Sequence, residues 1–119
     1  YFSLMSQAAV MVGNSSSGII EAASFQLPVV NIGLRQEGRP RSGNVVDCDD
    51  SAAGIEAALK RALSAEFREY CRGVQNIYGD GHAAARIVNV LRTVELNERL
   101  LIKRFADCEG GLPELSSPF

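Results

Sequence analysis

The chain has 119 residues, 46% hydrophobic and 22% charged, which is the composition of one small globular domain rather than of a disordered segment. Its 12 Lys and Arg stand against 14 Asp and Glu, for a formal net charge of -2. That balance lacks the basic excess needed to bind nucleic acid or an anionic membrane surface.

Apolar runs such as 8–12 are far too short to span a bilayer, and the first residues carry no basic, apolar signal pattern. Cys48, Cys71 and Cys108 are odd in number and widely spaced, without a CxxC pair. They read as reduced thiols of a cytoplasmic protein, not as a disulfide or zinc framework. With one histidine, His82, and no ligand cluster, no metal site and no cofactor are expected. The pattern begins abruptly at Tyr1, so a piece of a longer protein is expected.

Along the chain, residues 2–8 suit the end of a helix. Residues 9–12 are apolar throughout, as a strand covered on both faces would be. The run Gly13-Asn14-Ser15-Ser16-Ser17-Gly18 follows, and then a helix over 18–25 that Pro28 stops. Val29-Val30-Asn31-Ile32 reads as a second buried strand. A loop rich in Gly and Arg, 33–43, leads to a third short strand at 44–48.

Residues 51–63 form the clearest helical pattern, with Ile55, Ala58, Leu59, Ala62 and Leu63 on one face and Ser51 placed to cap it. Glu56 and Lys60 add an i,i+4 pair worth about 0.2–0.5 kcal/mol. A further helix over 65–71 stops near Gly73. Asp80 is placed to cap a long final helix, 81–104, whose stripe is Ile87, Leu91, Val94 and Leu101. The domain therefore spans 1–104. Residues 105–119, with Pro113 and Pro118, suit a disordered tail. Strands separated by helices imply an α/β, Rossmann-like parallel sheet with flanking helices.

In such sheets ligands lie beyond the carboxyl ends of the strands, where the loop 13–18 sits. A helix start offers unpaired N–H groups and attracts an anion without Lys or Arg. Gly13 and Gly18 admit close backbone approach, and Ser15, Ser16 and Ser17 add hydroxyl donors. Composition alone leaves a serine-capped turn equally open, although a cap needs only one serine. No Walker lysine follows, against a nucleotide-hydrolysing P-loop.

Glu21 fits either a carboxylate near a positive helix end or an acceptor for two ribose hydroxyls, and spacing does not separate the two. Arg35, Arg39 and Arg41 crowd one loop after the second strand. A solvated charged loop and a bidentate grip on phosphate or carboxylate both remain open.

Taken together, residues 12–21 (VGNSSSGIIE) and 28–39 (PVVNIGLRQEGR) resemble the hydrolysing UDP-N-acetylglucosamine 2-epimerases, and Tyr78-Gly79-Asp80-Gly81 with Ala85-Arg86-Ile87 is similar to that family's closing motif. The resemblance runs over about residues 2–92. It implies the C-terminal half of a GT-B fold, with a UDP-sugar held between two Rossmann domains of one protein, and it leaves homo-oligomers open.

By motif position it implies that Ser15 and Ser16, with Ser17 and Gly18, hold the diphosphate, that Glu21 holds the ribose, and that Arg35 lines the nucleotide pocket. It implies elimination of UDP and hydration of the resulting glycal. The proton-moving groups would lie outside this chain, with no catalytic residue within it; His82 does not match the family's catalytic histidine. A GT-B glycosyltransferase donor domain and a non-catalytic nucleotide-sugar-binding module stay open as alternatives, and the Arg35-Gln36-x-Gly38-Arg39 stretch favours the epimerase.

Overall fold

A computed structural model of the chain describes residues 1–102. They divide into two compact units, the first running from Tyr1 to Ala83 and the second starting at Ala84. The first contains α1 (Phe2–Met5), β1 (Met11–Gly13), α2 (Ser16–Ile20), a 3-10 turn (Ala22–Phe25), β2 (Val29–Ile32), β3 (Val45–Cys48), α3 (Ala52–Leu63) and α4 (Ala65–Arg72).

The strands form one parallel sheet in the order β1-β2-β3, with Met11 opposite Val29, Val30 opposite Val46 and Ile32 opposite Cys48. The expected α/β sheet with flanking helices is what the structure contains. Side chains alternate across a strand, so neighbouring residues of β2 and β3 feed opposite faces. Val30 and Val46 join Ala58, Ala62, Phe67 and Cys71 in one core cluster. Val29 joins Met5, Ala22 and Leu27 in the other, with Val45 packed against it. Fully burying a Val, Leu, Met or Phe side chain contributes about 1.5–3 kcal/mol of transfer free energy, and an Ala less.

Local chemistry explains most element boundaries. Ser51 Oγ accepts from the Gly54 N–H (3.0 Å) and Ser64 Oγ from the Phe67 N–H (3.2 Å), so both helices start on serine caps. The expected helix at 18–25 is instead two pieces. Ser15 caps it early, so α2 begins at Ser16, and a 3-10 turn follows that ends at Gln26 in the left-handed region (φ 54°). The first strand lies two residues later than expected, because Ala8 and Ala9 are exposed lead-in residues. Val12 is 44% exposed, so β1 is not covered on both faces.

In the second unit the expected single helix is broken into α5 (Ala83–Thr93) and α6 (Glu98–Leu101). Thr93 Oγ1 donates back to the Asn89 carbonyl (2.8 Å), and Asn97 Oδ1 accepts from the Leu100 N–H (3.2 Å) and opens a new helix. Ile87, Leu91 and Leu101 of the expected stripe are exposed. The tail expected over 105–119 lies outside the described residues. None of the described helices is long and apolar enough to cross a membrane.

Gly18 is buried where α2 meets β2, and a Cβ there would stand 2.9 Å from Val29 Cγ1. Gly18→Ala therefore costs about 1–3 kcal/mol by overpacking, read as a lower midpoint in urea unfolding. A midpoint equal to the parent's would refute this packing role.

Candidate functional site

The carboxyl ends of the three strands converge on one edge of the sheet, and two loops meet there. At the end of β1, Gly13 adopts φ +146°, a conformation that side-chain-bearing residues rarely take. Ser15 is extended (φ -76°, ψ 142°) and its Oγ accepts from the Ser17 N–H at 3.3 Å, while the Gly18 N–H donates to the Ser15 carbonyl at 3.2 Å.

The three serines thus divide their work. Ser15, exposed, uses an acceptor lone pair for the cap and keeps its O–H. The Ser17 hydroxyl is hydrogen-bonded to the Tyr1 hydroxyl. Ser16 is half-buried at the first helical position, and its hydroxyl makes no hydrogen bond among the described residues. Gly18, expected to allow close approach of a ligand, is occupied by packing against β2.

Glu21 closes α2, away from the positive end of that helix, and stands at the N-cap of the 3-10 turn that follows. The side chain makes no cap hydrogen bond, and Oε2 is buried with no hydrogen-bond partner among the described residues. An unsatisfied buried carboxylate oxygen is costly, about 1–3 kcal/mol or more.

The second loop leaves β2 through Gly33 (φ +71°), whose N–H donates to the Cys48 carbonyl at 2.8 Å. A tight turn closes where the Glu37 N–H meets the Leu34 carbonyl (2.9 Å), and Gly38 (φ +75°) ends it. The three arginines separate in role. Arg41 Nε sits 3.1 Å from Asp47 Oδ1 and 3.0 Å from Oδ2, and its Nη1 donates to the Arg39 carbonyl. Asn31, buried in β2, donates from Nδ2 to the same Asp47 Oδ1 at 2.7 Å. Arg41 therefore braces the loop. Arg35 and Arg39 are exposed and form no ion pair among the described residues.

Sequence reasoning missed two connections. Gln36 is buried, and its Nε2 donates to the Asn14 carbonyl at 2.8 Å, joining the arginine loop to the serine loop. Residues 76–78 tie the arginine loop and the end of α2. Asn76 Nδ2 donates to the Ile20 carbonyl and Ser24 Oγ, both at 2.8 Å, the Ile77 N–H reaches Ser42 Oγ (3.2 Å), and the Tyr78 hydroxyl donates to the Pro40 carbonyl (2.8 Å). The Tyr78-Gly79 motif was the available signal for the second tie; for Gln36 it was the Arg35-Gln36-x-Gly38-Arg39 stretch, which does not reveal the partner. Asp80 Oδ1 accepts from the His82 N–H at 3.0 Å, and His82 itself is exposed.

A cleft of about 800 Å³ opens beside the ends of β2 and β3, lined among others by Leu34, Glu37, Arg41, Asp47 and Cys48. Its charged lining is mainly acidic, which disfavours a diphosphate, and neither the serines nor Arg35 belong to it. There, burial first, and then the Asp49 and Asp47 carboxylates, push the Cys48 thiol above its ordinary value. Asp49 is held below the usual carboxylate range by the Ser51 hydroxyl and N–H. No group of metal-ligating side chains occurs among the described residues.

The sequence model of the family described as UDP-N-acetylglucosamine 2-epimerase matches residues 1–92. The UDP-N,N'-diacetylbacillosamine 2-epimerase (hydrolyzing) of Legionella pneumophila is 48% identical over 94 residues, which are 79% of this chain and 24% of that protein. The GDP/UDP-N,N'-diacetylbacillosamine 2-epimerase (hydrolyzing) of Campylobacter jejuni is 38% identical over 108 residues, 90% of this chain and 27% of that protein. The polysialic acid biosynthesis protein P7 of Escherichia coli is 26% identical over 119 residues, 100% of this chain and 29% of that protein. The chain thus spans about a quarter of the length of these curated relatives.

The cleft chemistry is open to a direct check. Cys48 holds its proton at neutral pH, so its alkylation by iodoacetamide accelerates only as pH rises through the alkaline range. Asp49→Asn removes one repelling charge, lowers that apparent pKa and speeds labelling at pH of about 8. Labelling that is unchanged or slower would contradict the electrostatic account.

Proposed function

We propose a function from one premise: this chain belongs to the UDP-N-acetylglucosamine 2-epimerase family. It is the UDP-holding part of a hydrolysing 2-epimerase that acts on a UDP-activated 2-acetamido sugar in the cytoplasm. The rest of the same protein supplies the facing Rossmann domain of a GT-B fold and the groups that move protons. The overall change is UDP-sugar plus water giving the free 2-epimer plus UDP: the C2 proton and UDP are lost together, and water then adds across the glycal double bond.

The observation that carries this reading is the half-buried carboxylate of Glu21 at the end of the helix that the serines open, with one oxygen unpartnered among the described residues. Such a carboxylate needs O–H or N–H donors, and the vicinal hydroxyls of a ribose supply two. Ser15 and Ser16 are the donors for the diphosphate, with the Ser16 backbone N–H beside them. Ser17, hydrogen-bonded to Tyr1, and Gly18, packed on Val29, support the loop from behind. Arg35, exposed and without an ion pair among the described residues, is the cation for the nucleotide.

Negative charge grows on the diphosphate as the glycosidic bond breaks, so donors fixed in advance stabilise the transition state more than the ground state. One such donor is worth about 2.7–4 kcal/mol in other enzymes. Hydrolysing chemistry is supported by the names of the Legionella and Campylobacter relatives, and a role in making an acidic sugar by that of the Escherichia coli relative.

In the full-length protein, Ser15→Ala and Glu21→Ala each weaken UDP binding about tenfold or more, about 1.4 kcal/mol, in calorimetric titration. Ser15→Ala also removes a cap, so Ser15→Asp is the sharper variant: it caps as well as serine but sets a negative charge against the diphosphate. Undiminished affinity in all three variants would end this reading.

A further inference from the structure

Gln36 is a long polar side chain in a charged loop, and it is buried to all but 4%. Its neighbours on both sides, Arg35 and Glu37, are exposed. The turn closed between Leu34 and Glu37 forces this split by sending consecutive side chains in different directions. The Gln36 carbonyl also accepts from the Arg39 N–H at 3.3 Å, so the backbone on which the side chain is mounted is itself held.

The amide crosses to a segment 22 positions earlier in the chain, where Nε2 donates to the Asn14 carbonyl at 2.8 Å. Asn14 immediately precedes Ser15, so this bond fixes the peptide plane from which the serine loop turns into α2. The other half of the amide, Oε1, is buried with no hydrogen-bond partner among the described residues. A buried glutamine that spends its donor on one backbone carbonyl, and leaves its acceptor unsatisfied, is poorly explained as a device for stability alone.

We infer that Gln36 is a positioning residue for nucleotide binding: its Nε2 bond to the Asn14 carbonyl locks the serine loop and Arg35 into one rigid unit, so that both meet the UDP together. The inference rests on the function proposed above. Orientation set before binding lowers the cost of association, and losing it shows in affinity even though Gln36 touches no ligand.

The test uses the full-length protein, with UDP as the probe, and reads affinity and thermal stability side by side. Gln36→Met keeps the length of the side chain and removes both polar ends. It is expected to raise the UDP Kd about tenfold while leaving the unfolding temperature within a few degrees of the parent's. Gln36→Glu sets a carboxylate against the Asn14 carbonyl and loosens the loop at pH of about 8. At pH of about 5.5 the buried carboxyl takes up a proton, donates it to that carbonyl and recovers most of the lost affinity relative to the parent at the same pH.

A purely structural glutamine would lower the unfolding temperature, leave the UDP Kd of the folded protein unchanged and show no pH-dependent rescue; that result overturns the inference. Ser15→Ala runs alongside. If it weakens binding and the two Gln36 variants do not, the positioning role alone is lost. If none of the three matters, the proposed UDP site falls and the role of Gln36 falls with it.

Discussion

Strand β2 lies between β1 and β3 and pairs with both in parallel, with Val29 and Val30 feeding the two core clusters on opposite faces. Parallel pairing puts the carboxyl ends of all three strands on one edge. The chain leaving β1 and the chain leaving β2 therefore emerge as neighbours, close enough to be tied across the gap. Gln36 reaches Asn14, and residues 76–78 reach the end of α2 and the loop around Pro40 and Ser42. Antiparallel pairing of the same strands would have sent the two loops to opposite ends of the sheet.

Polar residues carry much of this arrangement. Asn31 sits in the middle of the central strand because Asp47 of β3 lies opposite it and accepts its amide, while Arg41 neutralises that carboxylate from the loop. Asn44, fully buried, donates to the Leu27 carbonyl, and its own carbonyl accepts the Val29 N–H, so the turn before β3 is stitched to the start of β2. A hydrogen bond of this kind contributes about 1 kcal/mol net, but leaving one of its partners unpaired costs more. The loops are thus held by bonds that are costly to break one at a time.

What the sequence made legible follows from how local each signal is. Val29–Ile32 is a strand as read, α3 starts on the expected Ser51 cap, and α4 starts at Ala65 as read, on a Ser64 cap that the structure adds. These are signals of periodicity and capping, contained within a few residues. The helix after the serines was misjudged because Ser and Gly at 15–18 hide which serine is the cap, and geometry assigns it to Ser15. The long final helix was misjudged because apolar periodicity runs on through 94–101, whereas one asparagine at 97 suffices to start a new helix. Among the candidate site residues, Ser15, Glu21 and Arg35 stood out by residue type. Gln36 was marked only as part of the Arg35-Gln36-x-Gly38-Arg39 stretch; its burial was not legible, since its partner is 22 positions away.

The brevity of α2 has its own consequence. Five residues make less than one and a half turns, too few peptide dipoles in line to project a field far into solvent. An anion at this loop would be drawn in by individual donors at contact range, not by a long-range potential. Such a grip selects by shape: it rewards a ligand whose oxygens match the spacing of the donors, gives little to one that merely carries more charge, and changes slowly with ionic strength.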